Sequence, residues 1–275
     1  MSAFAVRRPA LSTGLRYFIL VVLAILYLTP LLMAFNASLK SPAEIPYSLQ
    51  LPSEIYWQNY AEGWERIGRS VWNSFLITIP SVVLSVFVGS LAAYPLSQVN
   101  IPGGRVVYLL ILAGMLVPYQ AVQIPLFMIM RSLGLYNTIP GMWLVHTAYG
   151  LPFVTFFMRN YFATVPRSMF EAAQLDGCGP AGYFFKILLP ASVSGLAAIA
   201  IVQSRSAWND LFFGLTLTSG QNSPAPVSLY AMIGGLDVDD GPMMAATIIS
   251  IVPMMIAFLL FQKAFTRGLL GGSSK

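Results

Sequence analysis

The residues of this chain that could do chemistry are few, and none forms a known catalytic motif. The sequence has no G-x-x-x-x-G-K-[ST] phosphate loop, no H-E-x-x-H zinc pair and no G-x-S-x-G nucleophile turn. His146 is the single histidine and Cys178 the single cysteine, so there is no thiol pair for a disulfide, redox or metal chemistry. We predict that the chain is not an enzyme and binds neither ATP nor metal itself. We interpret His146 as a packing or hydrogen-bonding residue.

A second group of polar residues lies inside an otherwise apolar run, where a charge costs at least roughly 2.5 kcal/mol if the run crosses a membrane. The group consists of Gln203, Ser204, Arg205, Ser206, Asn209 and Asp210. Arg205 and Asn209 share one face of a helix, whereas Asp210 lies about 140° around the axis from Arg205. Two hypotheses stay open. Either these residues line a solute path or a subunit interface, or Arg205 extends towards the membrane surface.

The third polar stretch, residues 159–191, has the signals of two short helices. Ser168 followed by Glu171 has the capping-box spacing, which predicts a helix from Met169 to about Asp176 that ends at Gly177. Gly179 and Pro180 predict the start of a second helix, running to about Leu189 and ending before Pro190. Helical spacing places the following residues of the first helix on one face: Met169, Ala172, Ala173 and Asp176.

The elements that position these residues are predicted to be membrane-spanning helices. Hydrophobic residues make up 57% of the chain and charged residues 9%, and the mean hydropathy is +0.71. About 20 apolar residues are needed to span a bilayer core, and six windows of that size occur. They are Leu15–Leu39, Val71–Leu96, Val106–Met130, Pro140–Met158, Ser192–Leu217 and Met243–Phe261. The predicted fold is therefore an all-α integral membrane protein with one six-span domain, residues 15–263.

The basic residues predict the orientation of the six spans. Ten lysines and arginines fall on the side of the two termini and the 159–191 loop, and four fall on the other side. By the positive-inside rule, the tails 1–14 and 264–275 and the 159–191 loop are cytoplasmic. The net charge of +5 is thus explained by topology, and no dense basic run next to aromatics indicates nucleic-acid binding.

The loop sequence EAAQLDGCGPAGYFFKILLP resembles the signature of the inner-membrane subunits of ABC importers. The signature positions are Glu171, Ala172, Ala173, Gly177, Ile187, Leu189 and Pro190. The resemblance implies that the first short helix, Asp176 included, is a coupling helix that docks into a cytoplasmic ATPase.

Further short pieces, in the same order and spacing, resemble the sugar-importer permeases of the maltose type, in particular their second, shorter subunit. These pieces are Ser38-Leu39-Lys40, Ala92-Ala93-Tyr94 with Pro102-Gly103, Ile124-Pro125-Leu126, Leu133-Gly134-Leu135 with Asn137-Thr138, Trp208-Asn209-Asp210 and Arg267-Gly268-Leu269. The resemblance implies a prokaryotic inner-membrane location, surrounding lipid, a second permease subunit, an extracytoplasmic binding protein and a sugar substrate. It also implies an ATPase dimer that binds ATP and Mg.

Several alternatives stay open at this stage. The same loop signature fits an ABC permease for a polyamine or an osmolyte, while a carrier coupled to ions or a membrane enzyme lacks any supporting motif. Residues Trp57, Tyr60, Trp64 and Ile67 recur at helical spacing, which predicts either a helix on the membrane surface or a contact surface for an external protein. Prolines 118, 125 and 253 mark either breaks near a substrate site or ordinary kinks.

Overall fold

The computed structural model of the chain describes residues 13–45, 50–233 and 240–271, with side chains up to Lys263. Within these ranges the structure has twelve α-helices and no strand. The helices are α1 (Thr13–Ser38), α2 (Gln58–Gln98), α3 (Gly104–Ala113), α4 (Tyr119–Ser132), α5 (Ile139–Phe162), α6 (Arg167–Leu175), α7 (Pro180–Tyr183), α8 (Leu189–Ala191), α9 (Val193–Trp208), α10 (Phe212–Leu217), α11 (Ala225–Ile233) and α12 (Asp240–Gly271). The predicted tail residues 1–12 and 272–275 lie outside the described residues.

Helix α2 is the central element, and α5 and α9 pack along it. Its 41 residues extend about 60 Å at 1.5 Å per residue. Helix α2 begins directly after Trp57 and continues through Trp64 into the predicted second span, so the predicted surface helix is not a separate element. The alternative, a contact surface for an external protein, stays a prediction. Ile67 is fully buried while both tryptophans are exposed, so the three do not share one face.

Helix α12 runs beside α2 and α9, and α1 packs on its outer side. The indole Nε1 of Trp208 at the end of α9 donates to the Ser250 carbonyl of α12 at 3.2 Å, and its ring meets Phe75 of α2 edge-on at 4.8 Å. The last predicted span ended at Phe261, but the helix continues to Gly271. These contacts join α2, α9 and α12 into one packed unit.

Two of the six predicted spans are interrupted. The third, Val106–Met130, bends by 97° between residues 116 and 119, and the fifth, Ser192–Leu217, stops as a helix at Trp208 and resumes at Phe212. Within the described residues, three helices are long and apolar enough to cross a membrane, or up to five if each bent pair forms one span. Helix α5 covers the fourth predicted span but is not among these candidates. The count of six stays a prediction.

Polar contacts join the connecting segments at the end of the bundle where α2 begins. Asn137, with a left-handed φ of 55°, accepts a hydrogen bond from the Ser219 amide on its side-chain oxygen at 2.8 Å. Its carbonyl accepts from the side chain of Asn222 at 2.7 Å. The turn between α4 and α5 is thus tied to the segment that follows α10.

The loop between α1 and α2 is closed by Glu44. One carboxylate oxygen of Glu44 accepts from the amide and the hydroxyl of Ser53, and the other accepts from the amide and the hydroxyl of Ser41. These hydrogen bonds, above all those from Ser53, lower the pKa of Glu44 from 4.5 to about 2. The ionised carboxylate is therefore the form that holds the loop together.

Candidate functional site

Helix α6 in the 159–191 loop begins earlier than the sequence predicted. Its first residue is Arg167, preceded by Pro166, and no side chain caps its amides. The predicted capping box between Ser168 and Glu171 is wrong, because extended Pro166 ends the preceding chain and Ser168 already has helical backbone. Glu171 instead lies near Arg167 one turn earlier, with Oε1 3.8 Å from Nε.

The end of α6 agrees with the prediction. Gly177 has a left-handed φ of 77°, and its amide donates to the Gln174 carbonyl at 3.0 Å. The next amide, that of Cys178, donates to the Ala173 carbonyl at 2.8 Å. This pair of hydrogen bonds is the Schellman arrangement, which satisfies the last carbonyls of a helix and fixes the direction in which the chain leaves it.

The inner side of α6 rests on a cluster of four aromatic residues from three parts of the chain. We call Tyr94, Phe162, Tyr183 and Phe184 the aromatic cluster. The Phe184 ring lies 5.3 Å from that of Tyr94 in α2 and 6.4 Å from that of Phe162 in α5. All four are buried, and the cluster also contacts Ile199 of α9. The cluster therefore connects the loop to α2, α5 and α9 at once.

Two residues of α6 attach the helix to this cluster. Phe170 meets Tyr183 edge-on at 5.0 Å, and Ala173 is buried in the same hydrophobic contact. The methyl group of Ala173 is small enough to bring the helix backbone close to the ring surface. A two-turn helix that would be marginal alone is therefore held by tertiary packing.

The outer side of α6 is left open and has both acidic and apolar character. Glu171 and Ala172 are exposed, and Leu175 is 90% exposed. The prediction that Ala172 and Ala173 share one face is wrong, since the first is exposed and the second is buried. Asp176, at the end of the helix, is also exposed.

The second half of the loop begins as predicted and ends differently. Pro180 is the first residue of α7, directly after Gly179. The helix does not end before Pro190. Instead it widens into a π-helical turn at residues 184–188, in which the Leu189 amide donates to the Phe184 carbonyl, and Pro190 continues it in α8. The wider turn removes the clash that a proline ring makes with the carbonyl four residues earlier.

The remaining signature residues lie near the bend into α9. Ile187 and Leu189 are partly buried against the hydrophobic contacts of the aromatic cluster, whereas Pro190 is exposed. The chain bends by 77° at Ser192, between the segment that ends at Ala191 and α9. The loop signature thus continues directly into the helix that carries the second group of polar residues.

A cavity of about 490 Å³ lies between α2, α5, α9 and α10, beyond the aromatic cluster. Its wall includes Ser81 and Ser85 of α2, His146 and Tyr149 of α5, Gln203 of α9 and Phe213 of α10. Gly150 allows the α5 backbone to approach α9, since an added Cβ would lie 2.9 Å from the Gln203 side-chain nitrogen. That nitrogen donates to the Gly150 carbonyl at 3.0 Å.

Asp210 lies in the gap between α9 and α10 and closes the start of α10. One of its carboxylate oxygens accepts from the Phe213 amide at 3.4 Å, and the other accepts from the Gly214 amide at 3.1 Å. The second oxygen is also 3.8 Å from Nε2 of His146. The sequence singled out Asp210, but it gave no indication of His146 as its neighbour, because 64 residues separate them.

The other two polar residues of α9 occupy different surroundings. Asn209 lines the cavity, and its side-chain nitrogen donates to the Arg205 carbonyl at 3.0 Å. Arg205 is exposed and does not line the cavity. The three residues that the sequence grouped together are therefore divided between the cavity, where Asn209 and Asp210 lie, and the outer surface of α9.

Tyr149, which the sequence analysis did not single out, completes the site. The Tyr149 hydroxyl donates to the Val117 carbonyl at 2.8 Å, directly at the bend between α3 and α4. It thereby satisfies a backbone group that the break before Pro118 leaves without a helix partner. The spacing of His146 and Tyr149 was the one available signal, because residues three apart share a helix face.

Comparisons with known proteins show what the chain as a whole is similar to. The sequence pattern of the family described as binding-protein-dependent transport system inner membrane component matches residues 81–271. Among curated proteins, the diacetylchitobiose uptake system permease protein NgcG of Streptomyces coelicolor is 32% identical over 253 residues, which cover 89% of this chain and 83% of that protein. The osmoprotective compounds uptake permease protein GgtD of Synechocystis is 34% identical over 228 residues, 81% of this chain and 76% of its own.

A solved structure is similar over nearly the whole chain. It is a crystal structure of a bacterial ABC transporter involved in the import of the acidic polysaccharide alginate. One of its chains matches with a TM-score of 0.78 and 27% sequence identity, covering 94% of this chain and 100% of that one.

Proposed function

Since the chain belongs to the binding-protein-dependent transport system inner membrane components, we propose that it is one of the two permease subunits of an ATP-driven sugar importer. A second, homologous permease subunit would complete the passage through the prokaryotic inner membrane. Family membership and a saccharide-importing structural neighbour support this assignment. ATP and Mg would be bound by a partner ATPase dimer, and the sugar would be delivered by an extracytoplasmic binding protein.

Helix α6 is the docking element for the ATPase in this proposal. The observation that carries it is the division of α6 into a buried side, with Ala173, and an open side, with Glu171, Ala172 and Leu175. An exposed leucine on a short helix whose position is fixed by packing suits a helix-in-groove contact. Asp176 and Gly177 end the helix and fix its length, while Ile187, Leu189 and Pro190 continue the contact towards α9.

The aromatic cluster explains how docking would reach the membrane helices. Because Phe184 contacts both Tyr94 of α2 and Phe162 of α5, a displacement of α6 acts on both helices. ATP would shift a two-state equilibrium only as far as it binds one ATPase state more tightly than the other. A tightly packed connection transmits the resulting movement of the ATPase to the membrane helices, because packed interiors are little compressible.

A charge reversal at Glu171 tests the docking assignment. The Arg167–Glu171 pair is exposed, and such pairs contribute little to stability. Glu171→Lys should therefore leave the permease pair assembled and lower the ATPase recovered with it by about tenfold or more, as an unpaired charge in an interface does. Copurification in detergent and uptake in vesicles would measure this.

Glu65→Lys is the matched control, because Glu65 is an exposed acidic residue of α2 far from α6. It makes the same charge change without touching the proposed interface. If Glu171→Lys retained the ATPase and uptake as Glu65→Lys does, α6 would not be the docking element.

The orientation proposed for the chain has six spans, with tails 1–14 and 264–275 and the loop 159–191 in the cytoplasm. The distribution of basic residues supports it. Reporter fusions at Ser168 and at Ser53 would test it. A periplasmic signal from the Ser168 fusion would contradict the assignment.

The cavity with Asn209 and Asp210 is the proposed part of the solute path, and exposed Arg205 is assigned to the interface with the second permease subunit. Arg205→Gln should weaken recovery of the subunit pair. Wild-type assembly and transport in this variant would show that the interface assignment is wrong.

A second candidate function is import of an osmolyte. The 34% identity to a relative that its name assigns to osmoprotective compounds favours it. Uptake assays with the cognate binding protein, comparing trehalose with glycine betaine, would separate the two candidates.

A further inference from the structure

The cavity between α2, α5, α9 and α10 contains a buried polar atom that has no partner. The Nε2 atom of His146 makes no hydrogen bond among the described residues, although the side chain is only 8% exposed. Buried polar atoms in proteins nearly always have a partner, and an exception calls for an explanation. Because His146 lines the cavity, a ligand hydroxyl in the cavity could supply that partner.

Asp210 provides a second polar group on the same wall. Its side chain is 13% exposed and each carboxylate oxygen accepts one backbone amide of α10. Since a carboxylate has about four acceptor positions, Asp210 retains capacity for donors inside the cavity. The α10 amides fix its orientation, so the carboxylate is held in place before any ligand arrives.

Aromatic rings form the apolar part of the wall. Tyr119 lies 5.3 Å from Phe212 and 6.1 Å from Phe213 between ring centres, and Tyr149 lies 5.2 Å from Phe213. Flat rings beside a few fixed polar groups suit a ligand that has an apolar face and hydroxyl groups at its edge. A sugar ring has both.

The charge of the cavity restricts the kind of sugar. Among the residues described, no lysine or arginine lines the cavity, and Asp210 is its one acidic residue. A uronate in this site would place its carboxylate near Asp210 with no cation to compensate, which opposes binding. An uncharged sugar brings only hydroxyl donors and acceptors.

We propose that this cavity is a saccharide-binding site formed within this chain, which accepts an uncharged sugar ring between the aromatic rings and His146–Asp210 and rejects uronates. The proposal rests on the proposed function and specifies its substrate class. The volume of the cavity, about 490 Å³, lies within the range of small-molecule sites, roughly 300–1,000 Å³.

Cysteine labelling tests occupancy directly, because Cys178 is the single native cysteine. In a Cys178→Ser background of the complete transporter, Ser206→Cys places a thiol on the cavity wall and Thr216→Cys places one on partly exposed α10 surface outside it. The probes are diacetylchitobiose, maltose, trehalose and digalacturonate, each added to the complex with and without vanadate trapping.

At least one neutral disaccharide should slow labelling of Ser206→Cys by about fivefold or more, since a pocket encloses most of its ligand and the bound ligand blocks the thiol on the wall. Labelling of Thr216→Cys should not change, and digalacturonate should protect neither thiol. Equal protection by digalacturonate, or no protection by any neutral sugar that the transporter imports, would overturn the proposal.

Three uptake variants keep the test independent of labelling. Ser206→Phe should abolish import by filling the cavity, whereas Thr216→Phe should not. Asp210→Asn, which keeps an acceptor for α10, should raise the KM for the imported sugar by about tenfold through loss of a hydrogen bond to a charged group.

The outcomes separate the two proposals. If the assembled wild-type transporter imports no saccharide, the proposed function fails. If it imports a neutral sugar and Ser206→Phe imports that sugar at the wild-type rate, the function stands and the site assignment fails.

Discussion

The aromatic cluster beneath α6 and the cavity beside α10 lie in the same bundle but are constructed in opposite ways. In the cluster, Tyr183 and Phe184 are almost completely buried and pack against side chains of α2, α5 and α9. Around the cavity the helices are interrupted, at the bend before Pro118 and in the gap at Asp210. One region is filled by its own side chains and the other is kept open.

Under the proposed function, this difference corresponds to two mechanical requirements. A region that transmits a displacement must not be compressible, which close packing of large rings provides. A region that holds a solute must keep both space and polar groups, and interrupted helices provide these because side chains satisfy the freed backbone groups. Tyr149 and Asp210 have that role here, at the Val117 carbonyl and at the amides of α10.

The largest expected effect comes from emptying the aromatic cluster. Phe184→Ala removes a buried ring from contacts with α2 and α5, and should destabilise the chain by about 3–5 kcal/mol. Phe185→Ala is the control, because the neighbouring ring is half exposed. Thermal unfolding in detergent measures both. Equal midpoints for the two variants would show that the cluster is not the rigid region of the pair.

The next effect concerns the direction in which the chain leaves α6. Gly177→Ala should destabilise the loop by about 1–2 kcal/mol, because φ is left-handed there. Gly179→Ala is a matched control. An added Cβ meets nothing within 4 Å at either glycine, but φ is −71° at Gly179. Hydrogen exchange of the Cys178 amide reports the loss. Equal exchange in the two variants would contradict the role given to backbone conformation.

A smaller effect is expected on the cavity side. Asp210→Ala removes the acceptors for the Phe213 and Gly214 amides, and should destabilise α10 by about 1 kcal/mol, as loss of a helix cap does. Asp210→Ser, which retains one acceptor, should recover part of that stability. Amide exchange at Phe213 and Gly214 measures it, and unchanged protection in the alanine variant would exclude the capping role.

The smallest effect is expected in the loop between α1 and α2, which lies outside both the aromatic cluster and the cavity and serves as a reference for them. Glu44 has its pKa lowered from 4.5 to about 2 by the hydrogen bonds from Ser53 and Ser41. A lowered pKa in the folded state means that this stabilisation is complete above pH 4.5 and is lost as the pH falls through about 2. After brief exposure to each pH, proteolysis of the loop between α1 and α2 should increase as the pH falls from 4.5 to about 2. Proteolysis at α6 should not change. Glu44→Gln should remove the pH dependence.

The parts of the fold that the sequence predicted correctly depend on local chemistry. Gly177 ends α6 and Pro180 begins α7 because each conformation is fixed by the residue itself. Long apolar runs likewise predicted α1 and the main parts of α2 and α12.

The parts that the sequence missed depend on distant partners. Proline alone did not identify the broken helix, since Pro125 and Pro253 lie inside continuous helices while the chain breaks before Pro118. The Val117 carbonyl at that break accepts a hydrogen bond from the hydroxyl of Tyr149, 32 residues further along the chain. In the same way, Ala172 and Ala173 are chemically identical, and only the position of the aromatic cluster determines which of them is buried. The cavity itself is a product of such long-range contacts.

The exposure of α1 has a consequence for how the chain enters the membrane during synthesis. The most apolar window of α1 has a mean hydropathy of 2.6 and none of it is buried by the rest of the chain, whereas 39% of the corresponding window of α2 is buried. A helix that is favourable in lipid without partners can insert as soon as it leaves the ribosome. Helix α5 is not apolar enough to count as a span alone. It must instead insert by packing against helices that are already in the membrane. Among the described helices, α1 is thus the most independent, and the helices that surround the polar interior follow it in the chain.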